Sequence, residues 1–176
     1  MYLVSSCLLG MNCRIDFGHS FDWDIIVIAR KYCMIPICPE RFAGIPLPSF
    51  PAEIAGEGDG INVIRHQTKV LEKREGKFVD VSRAFIRGAE ETYKLASLTG
   101  TLKIAILRAY SPSCGVGKTY SGEFNGSLKS GDGVTAAYLK MKGFEIYNQF
   151  NYPSVEKLEQ DFELWIELKK GEKILC

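Results

Sequence analysis

A chain of 176 residues, 46% of them hydrophobic and 24% charged, is long enough to bury a real core, and a single domain over 1–176 is expected. Lysine and arginine number 22 against 21 acidic residues, which excludes bulk binding to nucleic acid, since a phosphate backbone is met by an excess of cations. No basic segment opens the chain ahead of an apolar one, and no run approaches the roughly 18 apolar residues of a membrane span, so a cytoplasmic protein with no membrane partner is expected.

Tyr2-Leu3-Val4 reads as a first strand that empties into Ser5-Ser6-Cys7-Leu8-Leu9-Gly10. After a polar, irregular loop, Ser20 offers an N-cap for a helix over 21–30, with acidic residues early and Arg30 late, as the helix dipole favours. A second strand over 33–37 ends in Cys38-Pro39-Glu40, and the strand–helix–strand order predicts a parallel pair with a right-handed crossover. Residues 39–60 are rich in proline and glycine and read as one long irregular loop, a kind that usually carries function. Residues 62–70 and 77–79 read as an extended pair, and Asp80 or Ser82 caps a helix over 81–98 closed by Gly100. A third strand over 103–107 leads into the turn Ser111-Pro112-Ser113-Cys114-Gly115. Beyond a loop rich in glycine and serine come a helix over 134–142 and a fourth strand over 144–147. Ser154 then caps a last helix over 155–170.

Strands alternating with helices predict an α/β fold: a three-layer, Rossmann-like, open and mostly parallel four-stranded sheet with helices on both faces. Ligands of such sheets bind outside the carboxyl ends of the strands. Of the six cysteines, Cys7, Cys38 and Cys114 each follow a strand, so the topology predicts that they share one rim. Soft thiolates brought together suit an iron–sulfur cluster or zinc, and three of them leave one iron of a four-iron cluster open. No Cys-x-x-Cys pair is present, against zinc ribbons and thioredoxin-type sites. Cys33 reads as a small hydrophobe inside a strand and Cys176 as a bystander.

Pro39 aims Glu40 toward whatever Cys38 holds; a carboxylate there can move protons, or it can be a solvated loop charge. Ser111 and Ser113 either donate hydrogen bonds to a ligand or cap their turn. Gly115-Val116-Gly117-Lys118-Thr119 looks like the end of a phosphate-binding loop, but Pro112 stands where that motif requires its first glycine. Two classes stay open: an enzyme that works on a ligand at an open metal, and a non-catalytic metal-binding or sulfur-carrier module.

Seven segments in order also carry a resemblance. They are Val4-Ser5-Ser6-Cys7-Leu8-Leu9-Gly10, Cys13-Arg14-Ile15-Asp16, Cys38-Pro39-Glu40, Pro51-Ala52-Glu53-Ile54, Phe85-Ile86-Arg87-Gly88-Ala89-Glu90, Ser111-Pro112-Ser113-Cys114-Gly115 and Gly131-Asp132-Gly133-Val134-Thr135-Ala136-Ala137. Through them the chain resembles, from Tyr2 to about Tyr147, the DUF523 family of thiouracil desulfurase-like iron–sulfur proteins. The resemblance implies a [4Fe-4S] cluster on Cys7, Cys38 and Cys114 with one iron open, a group exposed to loss in an aerobically prepared sample. It implies a non-redox desulfuration of a small thiolated, thiouracil-like base that releases hydrosulfide. Carried over, Glu40 handles protons, Ser111 places the substrate or a cluster sulfur, and Ser113, Asp16 and Glu53 belong to the pocket. The chain departs from the pattern at Cys13, where relatives often carry an apolar residue; Cys13 reads as a fourth ligand, a reserve thiol or a bystander, and the bystander reading is taken here. It also departs at Ile15-Asp16-Phe17, where many relatives read Tyr-Asp-Gly, and near Ser49, where many carry arginine. These changes fall in pocket loops; they leave the cluster expectation intact and the substrate and oligomeric state open.

Overall fold

The computed structural model describes residues 1–100, 103–152, 154, 157–160 and 163–164. The chain begins with β1 (Tyr2–Ser5), a 3-10 turn (Ser6–Leu9), α1 (Trp23–Lys31), β2 (Met34–Ile37) and α2 (Pro39–Phe42). Next come β3 (Ala52–Ile54), α3 (Gly60–Ile64), β4 (Val70–Arg74), β5 (Lys77–Asp80) and α4 (Ser82–Leu98). The remainder holds β6 (Ile104–Leu107), β7 (Lys118–Tyr120), β8 (Leu128–Ser130), α5 (Val134–Met141) and β9 (Glu145–Asn148). Among the described residues no helix is long and apolar enough to cross a membrane.

Four short apolar runs pair into one parallel sheet in the order β2-β1-β6-β9. Successive side chains of a strand point to opposite faces, so the central strands β1 and β6 bury both, while the edge strands β2 and β9 leave Pro36 and Glu145 exposed. Leu3, Ile37, Ala105 and Leu107 pack with Ala96 of α4 and with Ala136 and Leu139 of α5. On the other face, Tyr2, Val4, Ile104 and Ile106 pack with Ile25 and Ile28 of α1. The expected three layers result. Because β1 connects outward to β2 and β6 outward to β9, the strand order reverses between β1 and β6, where a crevice opens at the carboxyl ends.

Several local expectations differ from the structure for physical reasons. Asp22 and not Ser20 caps α1, its carboxylate accepting from the N–H groups of Asp24 and Ile25 at 3.1 and 3.2 Å. The chain is still tied to the 3-10 turn at Ser20 and Asp22, whose N–H groups donate to the carbonyls of Cys7 and Leu8, so the helix starts only afterwards. The stretch 39–60 is not wholly irregular: α2 begins on Pro39, a residue suited to a first helical position, and β3 pairs antiparallel with β4. The first arm of the expected extended pair is instead α3, started by a capping box in which Asp59 and Asn62 bond each other's backbone. The hairpin forms one step later, β4 against β5, turning at Glu75 and Gly76, both at positive φ. The loop beyond Ser111 holds a second hairpin, β7 with β8. Of the expected last helix, 157–160 and 163–164 are helical and Leu158 accepts from the Tyr2 hydroxyl at 2.6 Å. Its other residues, and Cys176, lie outside the described residues.

Candidate active site at the carboxyl ends of three strands

Cys7 sits in the 3-10 turn directly after β1, a turn closed by Gly10 at φ 88°. Cys38 follows β2 as the residue before α2. Cys114 lies on the turn after β6, where the Gly115 N–H donates to the Ser111 carbonyl at 2.8 Å. That turn is clamped onto α5: the N–H groups of Val134 and Thr135 donate to the carbonyls of Pro112 and Ser113, which satisfies helix-end donors that would otherwise lack partners. The approach is so close that a Cβ at Gly133 would lie 2.5 Å from the Ser113 carbonyl oxygen, so only glycine fits.

The three cysteines and Cys13 line one cavity of about 620 Å³, and all four are free thiols. Cys7 and Cys114 are buried. Burial pushes the Cys114 thiol up to about 12, against the opposing hydrogen bonds with Ser5 and Ser113. The Cys38 thiol is also raised, first by its hydrogen bond with Cys13 and then by burial. Cys13 reaches about 11: its bond with Cys38 lowers it, and its bond with Cys7 together with burial outweighs that. Cys33 stands apart. It precedes β2, is half-buried, and its carbonyl accepts from the Tyr2 N–H at the amino end of the sheet, away from the cavity.

Glu40 lies in the single turn of α2 with its side chain 18% exposed and its Oε2 3.7 Å from the Arg41 guanidinium. Burial raises its carboxyl above the ordinary range, while Arg41 and Arg108 pull it down. Its charge is felt at both Cys38 and Cys114. The Ser111 oxygen accepts from the N–H groups of Ser113 and Cys114 at 3.1 and 3.2 Å, which leaves its hydroxyl proton to be donated into the cavity it lines. Ser113 does not line the cavity; it is buried, with its Oγ 3.0 Å from Thr135 Oγ1. Glu53 lines the cavity wall, but its Oε2 accepts from the N–H groups of Gly122 and Phe124 at 2.8 and 3.1 Å and so holds that loop. Asp16 is exposed and outside the cavity, accepting from the Gly18 N–H and pairing with Arg14 at 3.3 Å.

Sequence reasoning assigns no role to the four cations of the cavity wall, Arg14, Arg74, Arg87 and Arg108, of which Arg14 and Arg108 meet at one point. Both donate to one oxygen, Ser20 Oγ, at 3.0 Å from Arg14 Nη1 and 2.7 Å from Arg108 Nε. The available signal was Arg108 itself, a cation placed directly after the apolar run of β6 at the end where ligands bind.

Among the described residues no three His, Cys, Asp or Glu side chains close on a single ion. Free thiols lining one cavity are the donor type that a cluster takes, and the raised pKa values of Cys13, Cys38 and Cys114 are of the kind that a bound cation reverses.

Comparison with known proteins bears on the family and the fold. The model of the 2-thiouracil desulfurase family matches residues 2–150. The protein YbbK of Bacillus subtilis (strain 168) is 36% identical over 149 residues, which span 85% of this chain and 95% of YbbK. A solved structure of the [4Fe-4S]-dependent thiouracil desulfidase TudS, DUF523Vcz, is similar with a TM-score of 0.69 and 31% identity, over 95% of this chain and 97% of that one. With its sequence matched nearly from end to end of the fold, the chain belongs to the 2-thiouracil desulfurase family, whose model spans all three strand-end cysteines.

Proposed function

We propose that this desulfurase hydrolyses the carbon–sulfur bond of a small thiolated heterocycle of the thiouracil kind, with Cys7, Cys38 and Cys114 holding a [4Fe-4S] cluster. One observation carries the reading: three free thiols from three strand ends share a cavity with the Glu40 carboxyl and the Ser111 hydroxyl. The similarity to TudS, whose title describes it as a [4Fe-4S]-dependent thiouracil desulfidase, supports the same cofactor and substrate class. The bound cluster would supply an iron without a strand-end ligand, a Lewis acid for a thiocarbonyl sulfur.

The reaction balances without electron transfer: water enters, a carbonyl replaces the thiocarbonyl, and hydrogen sulfide leaves. Glu40, partly buried and two residues from Cys38, accepts a proton from the attacking water and returns it to the departing sulfur or a ring nitrogen. Ser111 donates its free hydroxyl proton to the substrate. Ile15, Ile45, Pro48 and Phe50 give the cavity apolar walls that keep bulk water from the reacting carbon. A sulfur carrier would need a presented thiol, and the burial of Cys7 and Cys114 favours catalysis over that role.

The test is Glu40→Gln in anaerobically reconstituted protein with 2-thiouracil as substrate. Iron content should stay at the wild-type level while uracil and sulfide formation falls by roughly 10²–10⁴-fold. Unchanged turnover would remove Glu40 from proton transfer.

A further inference from the structure

Cys13 is the one thiol of the cavity that does not issue from a strand end. The chain leaves the 3-10 turn through Gly10, the Met11 N–H donates to the Ser6 carbonyl at 3.2 Å, and the Cys13 N–H donates to the Met11 carbonyl at 2.8 Å. This tight reversal folds residue 13 back over the turn that carries Cys7. Its thiol interacts with the thiols of both Cys7 and Cys38 across the cavity they line together, and its carbonyl oxygen lies 4.0 Å from Cys38 Sγ. The fourth thiol therefore stands between two strand-end thiols.

The mechanical settings of the four differ. Cys7, Cys38 and Cys114 cannot shift without disturbing β1, β2 or the turn clamped to α5. Cys13 belongs to an irregular loop outside any strand or helix and is half-buried, so its thiol is held by less structure than the other three. A set of three fixed thiols and one movable thiol is a complete ligand set for four irons, with one ligand that can be given up.

We propose that Cys13 is a fourth, displaceable ligand: it caps the remaining iron in the substrate-free protein and yields that position to the substrate sulfur. The inference rests on the cluster reading given under the proposed function and goes beyond it. The exchange is redox-neutral. Cys13 leaves as a thiolate with its electron pair and takes a proton from solvent, and the incoming sulfur supplies the pair that replaces it. Such a cap keeps water and oxygen from an otherwise open position between turnovers.

The experiment follows alkylation, not activity. Anaerobically loaded full-length protein is treated with iodoacetamide, with and without 2-thiouracil, and each cysteine is scored by peptide mass mapping. Cys13 should label about tenfold more slowly in the loaded protein than in the apoprotein, since only the uncapped fraction reacts. 2-Thiouracil should restore its labelling while Cys7, Cys38 and Cys114 stay protected. A Cys13→Ala variant should bind the same iron and lose it severalfold faster to a ferrous chelator. Labelling of Cys13 at the apoprotein rate in loaded protein, with the other three protected, overturns the cap and leaves the cluster reading standing. Protection that 2-thiouracil does not relieve, or an unchanged rate of iron loss in Cys13→Ala, overturns the displaceable ligand in the same way. Four cysteines that all label freely, with no iron bound, overturn both readings.

Discussion

Arg108 reaches in two directions at once, Nε to Ser20 Oγ and Nη1 to the Ala109 carbonyl, while its charge faces the buried Glu40. Arg108→Ala removes a charge-assisted hydrogen bond of the kind worth roughly 1.5–3 kcal/mol. Turnover should fall by roughly tenfold to a hundredfold with iron per chain unchanged. Lysine at this position should not restore it, because a single ammonium cannot reproduce the two-directional fork. Loss of iron in Arg108→Ala would instead assign Arg108 to holding the cysteines. Cys33→Ala should keep full iron, since Cys33 lies at the amino end of the sheet; iron loss in that variant would bring Cys33 into the ligand set. At this scale the sequence pointed to Cys7, Cys38, Cys114 and Glu40 as candidates, because each closely follows an apolar run, and the structure places all four on one cavity. It did not reveal that Arg14 and Arg108 share Ser20, a meeting of residues from different parts of the chain that no local pattern announces. Asp16 and Glu53 were legible as motif residues but not by role: Asp16 serves the Gly18 N–H of its own loop, and Glu53 serves N–H groups of a loop 69 and 71 residues on.

The element that aims Glu40 is a single helical turn, α2, and it holds its place by contact with α4. Gly88 marks that contact: a Cβ there would lie 2.2 Å from the Pro39 carbonyl oxygen, backbone against backbone. Gly88→Ala must push α2 away from α4. Overpacking of this kind costs about 1–3 kcal/mol, read as a lower urea midpoint. Turnover per bound cluster should fall as well, because the turn carries both Cys38 and Glu40. A variant as stable and as active as the wild type would show that the two helices can separate freely. Longer elements such as α4 were readable from their end signals, although Val81 and not Asp80 or Ser82 stands at its N-cap, with no side chain capping it, and its buried stripe is Phe85, Ala89, Thr92 and Ala96. The short ones were not. α2 has four residues, and β4 carries Glu72, Lys73 and Arg74, a composition that becomes a strand only because β3 and β5 flank it.

Across the whole molecule, chemistry follows from strand order. Placing β1 between β2 and β6 brings the three cysteine-bearing turns to adjacent positions on one rim, although they are far apart in sequence. This was the most legible feature of the chain, because it needs only the existence of parallel strands and the rule that ligands bind at their carboxyl ends. The central claim is that this rim holds a four-iron cluster. Iron and acid-labile sulfide per chain, measured after anaerobic reconstitution of the wild type, test it most directly. The account predicts about four of each, with a broad absorption near about 400 nm, and loss of both on replacing Cys7, Cys38 or Cys114 with alanine. Zinc in their place, or no metal after reconstitution, would contradict it.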